Sequence, residues 1–100
     1  MIHHIVMFKL LDTGDKKLTE KNKLDVKKRL EGLPSRIDVI RSMEVGINVN
    51  ESARAFDIVL VSTFENLEDL DTYRVHPAHQ EFVDYIGRIR EQAASVDYET

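Results

Sequence analysis

Residues 56–64 read FDIVLVSTF, and what covers each side of this segment decides the fold. β-branched and aromatic residues favour extended backbone, and a strand sends alternate side chains to opposite faces. Ile58 and Leu60 therefore share one face, while Val59 and Val61 share the other. Neither face suits water. A strand that is apolar on both sides belongs in the middle of a sheet with something packed against each surface.

Working outward towards the N-terminus, residues 40–50 (IRSMEVGINVN) alternate, with Met43, Val45, Ile47 and Val49 on one face and Ser42, Glu44, Gly46 and Asn48 on the other. This pattern predicts a half-covered strand joined to the 56–64 strand through NESARA. The opening IHHIVMFKLL is again apolar at both parities and predicts a first strand covered on both faces. DTGDKK after it is turn chemistry. Thr19 and Glu20 are then expected to start a helix whose stripe is Val26, Leu30, Leu33 and Ile37, with Gly32 and Pro34 marking its end. Its lysines alternate with Glu20, Asp25 and Glu31, which describes a solvated helix face rather than a basic patch.

Towards the C-terminus, Asn66 is placed to cap a short helix carrying Leu67, Leu70 and Tyr73. Pro77 interrupts it. Proline disfavours helical backbone in the residue before it and opens helices well, so His76 should be extended and Pro77 should start a new helix. From there His79, Phe82, Val83, Ile86, Ile89 and Ala93 recur at helical spacing, predicting a helix to about Arg90 with His79 buried on its inner stripe. SVDYE, residues 95–99, predicts a closing strand.

The order β, α, β, β, α, β in one hundred residues without a linker predicts a single domain spanning 1–100. The fold class is α+β, ferredoxin-like, with an antiparallel four-stranded sheet and both helices on one face. The helix-free face then needs a cover. The same face of a second copy, related by a two-fold axis, supplies it, giving a homodimer in the form of a dimeric α+β barrel.

Composition narrows the partners. A net charge of −4 with acidic and basic residues interspersed offers no footprint for nucleic acid or an anionic membrane. No cysteine is present, so disulfides and thiolate metal sites are excluded. The apolar start carries His3, His4 and Lys9 and does not resemble a leader or a membrane span. A cytoplasmic protein is the expectation.

The chemistry-bearing residues cluster in TYRVHPAHQEF, residues 72–82. In an unbroken helix Tyr73 and His79 would point in different directions, but a bend at Pro77 can turn both towards one pocket. Two readings stay open: an ordinary core pair whose polar ends find backbone partners, or a site. For the site, His79 in the first turn of its helix is disfavoured as an imidazolium and can accept a proton, while the Tyr73 phenol can orient a carbonyl or enolate oxygen. His4 shares the parity of Val6 and Phe8 and can be aimed at the same place. His76 is expected at the joint, bonded to nearby backbone. His3 and His4 point to opposite faces and His76 and His79 straddle the proline, so no metal site is expected. There is no nucleotide-binding glycine loop and no nucleophile signature.

MIHHIVMFKL, FDIVLVSTFENLEDLDTYRVHPAHQEF and VDYE together resemble the stress-responsive dimeric α/β-barrel family, usually called Dabb. The resemblance implies a homodimer with a pocket between helices and sheet in each subunit. One member, olivetolic acid cyclase of plants, is a cofactor-free polyketide cyclase. Its catalytic tyrosine and histidine match Tyr73 and His79, and its first-strand histidine matches His4. Its third-strand pocket histidine matches Ile58, so that wall is apolar here. The resemblance thus marks His79 and Tyr73 as candidate catalytic residues, with His4, Ile58 and Phe82 lining the pocket. It implies no cofactor and a small carbonyl or aromatic ligand, with a non-catalytic binding dimer as the alternative.

Overall fold

The computed structural model describes all of residues 1–100. Its elements are β1 (Ile2–Leu10), α1 (Lys16–Glu31), β2 (Ser42–Ile47), β3 (Ile58–Phe64), α2 (Leu67–Val75), α3 (Pro77–Gly87) and β4 (Arg90–Glu99). The strands form one antiparallel sheet in the order β2-β3-β1-β4. The two strands that are apolar at both parities, β1 and β3, are the central ones. The expected ferredoxin-like architecture is the one observed.

Register assigns the faces. Ile2, His4, Phe8 and Leu10 of β1, with Ile58, Leu60, Ser62 and Phe64 of β3, are buried beneath the helices. Val26 and Leu30 of α1, Leu70 and Tyr73 of α2, and Ala78, Phe82 and Ile86 of α3 close over them. On the opposite face β1 presents Ile5 and Met7, β3 presents Val59 and Val61, and β4 presents Val96 and Tyr98, the last stacked on His3 at 4.7 Å. Met7, Val96 and Tyr98 remain exposed. A contiguous apolar surface of this kind is uncommon on a monomer.

Two boundaries differ from the sequence reading, the start of α1 and the end of β2, while α1 ends at the Gly32 and Pro34 stop signals as expected. Helix α1 begins at Lys16, because Asp15 rather than Thr19 caps it: the Asp15 carboxylate accepts from the N–H groups of Lys17 (2.9 Å) and Leu18 (3.4 Å). Gly14, with φ of +75°, makes the turn that delivers Asp15 to that position. The helix ends at Glu31, because Pro34 can neither donate to the ladder nor clear the carbonyl one turn back. Leu33 and Ile37 are nonetheless buried, in the turns that follow. Strand β2 stops at Ile47, leaving Val49 96% exposed.

The largest difference is at the C-terminus. Helix α3 ends at Gly87, and β4 runs from Arg90, five residues earlier than the alternation in SVDYE indicates. Ile89 and Ala93 therefore leave the helical stripe. Ala93 pairs with Phe8 in the sheet, and the Ile89 carbonyl accepts from the Leu11 N–H at 2.8 Å. REQAA has no strand propensity of its own. Pairing with the long apolar β1 overrides it.

Asp15→Ala tests the revised start of α1. Loss of an N-cap of this type costs about 1 kcal/mol, so the urea midpoint should fall accordingly with no change in the slope of the transition.

Candidate functional site

The break between α2 and α3 builds the site. Pro77 has no N–H to give the Tyr73 carbonyl, which accepts from the His76 N–H at 3.2 Å instead. His76 is extended, as expected from Pro77, and its Nδ1 accepts from the Ala78 N–H at 3.0 Å. With the Ala78 N–H diverted, the Arg74 carbonyl at the end of α2 lacks its helical donor. The His79 Nδ1–H (3.0 Å) and the Gln80 side-chain amide (2.6 Å) fill the place. A carbonyl only accepts, so His79 carries its hydrogen on Nδ1 and its neutral ring has a lone pair on Nε2.

Tyr73 and His79 are in ring contact, with centroids 4.4 Å apart, and His4 packs edge-on to Tyr73 at 5.9 Å. All three line a cavity of about 470 Å³ between α2, α3 and the sheet, whose other walls include Phe8, Leu60, Phe82, Val83 and Ile86. The Tyr73 ring is buried, and no protein group bonds its hydroxyl, which opens on the cavity rather than being sealed in the core. Burial pushes its pKa up to about 12, so at neutral pH it is a phenol and a hydrogen-bond donor. His79 is half-buried rather than fully buried, because its ring forms part of the cavity wall instead of facing the sheet. Desolvation holds its pKa below the ordinary histidine value. The Arg74 guanidinium and any positive charge on the neighbouring His4 and His76 rings act in the same direction, against the opposing bond to the Arg74 carbonyl.

His4 brings a partner that the sequence did not announce. Its Nδ1 bonds Asp97 of β4, whose second oxygen accepts from the Arg74 guanidinium at 2.8 Å. An ionised carboxylate only accepts, so His4 too carries its hydrogen on Nδ1 and presents Nε2 to the cavity. Asp97 stands directly opposite His4 in the β1–β4 register. Its inward direction was readable from the alternation of Val96, Asp97 and Tyr98, but its partner was not. Phe82 is on the cavity wall. Ile58, the first residue of β3, is buried in the core outside this cavity, and Leu60 takes the wall position.

His79 should titrate below 6.5 and Tyr73 near 12 in an NMR titration of ring resonances. The folded state binds the His79 proton less readily than the unfolded chain does. Its contribution to stability is therefore complete above the unfolded value and is lost as pH falls through the folded one.

An α+β domain with this strand order, an uncovered apolar sheet face and a histidine- and tyrosine-lined cavity under a broken helix defines a small dimeric-barrel class of protein. The chain matches the stress responsive A/B barrel domain, Dabb, over residues 2–100, and belongs to that family. It is 37% identical to a dimeric protein of unknown function and ferredoxin-like fold from Bacteroides fragilis, with a TM-score of 0.88 over 99% of this chain and 95% of that one. An uncharacterised protein of Streptomyces coelicolor is 31% identical over 80 residues, 80% of each chain. The hydroxynitrile lyase of Passiflora edulis shares the fold at a TM-score of 0.79, covering 97% of this chain and 90% of the lyase, with 17% identity.

Proposed function

We propose that the protein is a homodimer whose pocket binds a small carbonyl compound and removes a proton from the carbon next to the carbonyl, without a cofactor. The observation that carries this reading is an open cavity in which a neutral imidazole lone pair and an unbonded phenol meet. His79 Nε2 takes the proton, and the C–H electron pair becomes an enolate whose oxygen accepts from the Tyr73 hydroxyl. His4, held by Asp97, stands beside Tyr73 as a second group able to exchange a proton. The enolate can then be reprotonated elsewhere, expel a β-substituent or add to a second carbonyl. These outcomes are isomerase, lyase and cyclase chemistry respectively. No external electron acceptor is needed, since the reacting electrons stay within the substrate.

A fold that also accommodates a hydroxynitrile lyase supports the lyase direction, and the dimeric Bacteroides relative together with the apolar sheet face supports the homodimer. The competing reading is a non-catalytic dimer in which Tyr73 and His79 only fasten the helix break. Titration with the neutral ketone benzylacetone separates them. Binding in the cavity should shift the ring signals of His4, Tyr73 and His79 together, whereas a purely structural pair leaves them unmoved.

A further inference from the structure

The cavity lining extends along the β1–β4 strand pair, and its two ends differ in chemistry. Its wall contains four groups able to carry positive charge, His4, Arg74, His79 and Arg90, and no carboxylate. Arg74 is committed, bonded to Asp97 at 2.8 Å and near Asp71 at 4.0 Å. Arg90 is exposed on β4 and has no acidic partner.

Position along the sheet sets Arg90 apart from the reactive groups. Asp97 stands opposite His4, and Arg90 stands opposite Leu10 at the other end of the same strand pair. Seven residues of strand separate them, roughly 23 Å of backbone. Apart from Ser95, the wall between is apolar: Phe8 and Ala93 on the sheet side, Phe82, Val83 and Ile86 on the helix side.

We infer that the pocket takes an elongated keto acid, its carbonyl between Tyr73 and His79, its chain along the apolar wall and its carboxylate on Arg90. This rests on the proposed carbonyl-binding role and adds the class of ligand. A guanidinium binds a carboxylate through two parallel N–H bonds, which a neutral ester cannot reproduce. The apolar middle selects a hydrocarbon spacer, and the length of the cavity lining makes the charge preference depend on chain length. A short keto acid cannot reach both ends.

The test compares free acids with their methyl esters by calorimetry and by the ring signals of Tyr73 and His79. Levulinate has its ketone and carboxylate close together; the long-chain probe is the oxo-octadecanoate with its ketone beside the terminal methyl, whose extended chain is about as long as the strand segment between the two ends. The long acid should bind about tenfold more tightly than its ester, and levulinate should show no such preference. Arg90→Gln should bring acid and ester to equal affinity, and Arg88→Gln, exposed and off the cavity wall, should leave the preference intact. Equal binding of long acid and ester overturns the inference, as does a preference that survives Arg90→Gln. Failure of the long acid to bind while benzylacetone still shifts the rings also overturns it and spares the carbonyl pocket. Silence from benzylacetone as well removes the pocket reading and this one with it.

Discussion

Val61→Lys is expected to convert a dimer into monomers, and Val59→Asp to do the same. Both valines lie on the helix-free face, Val61 opposite Ile5 and Glu44, Val59 opposite Met7 and Gly46. Within one subunit each is only half-buried, so a charge there can still reach water in an isolated chain. In the barrel the same face is closed by its counterpart, and the two-fold axis buries the new charge twice. An unpaired buried charge costs about 3–5 kcal/mol, enough to lower association by more than a hundredfold. Light scattering at micromolar concentration should report the loss, and circular dichroism should show the subunit fold retained. If both variants remain dimers with the parent's stability, the helix-free face is not the interface.

The second large effect is on chemistry. His79→Ala and Tyr73→Phe should each reduce turnover of a carbonyl substrate by about 10² or more, the usual consequence of losing an acid or base group. Neither change should disturb the dimer, because both side chains face the cavity rather than the helix-free face. Tyr73→Phe keeps the buried ring and removes only the hydroxyl, so it isolates the donor from the packing. The pH profile is a further constraint. A base whose pKa lies below 6.5 is already neutral at pH 7, so the rate should rise with pH on the acid side and reach its plateau by neutrality.

The sequence was most informative where periodicity and sterics act locally. Apolar side chains at both parities placed β1 and β3 at the centre of the sheet, and the proline rule placed the break at His76 and the start of α3 at Pro77. The family resemblance rested on the same stretches. Local signals failed where a partner elsewhere in the chain decides. Asp15 displaces Thr19 as cap because Gly14 adopts a left-handed turn, and REQAA becomes strand because β1 offers an edge. That second error hid Arg90, Ala93 and Ala94 from the cavity wall. Asp97 behind His4 and the Arg74 carbonyl behind His79 were equally invisible, since both depend on pairings between distant segments. Ile58 shows the reverse, a position suggested by resemblance that lies in the core in this chain.

The proton-abstraction claim is tested most directly by deuterium exchange. Benzylacetone incubated in D₂O with the protein exchanges its α-hydrogens only if a base removes them, and NMR follows the loss of each signal. Exchange is expected to be catalysed by the parent at neutral pH, slowed about a hundredfold in His79→Ala and in Tyr73→Phe, and reduced in the parent as pH falls and His79 takes up its proton. Exchange no faster than in buffer, for a ketone whose binding shifts the His79 and Tyr73 rings, would contradict it: the cavity would then bind carbonyl compounds without acting on them.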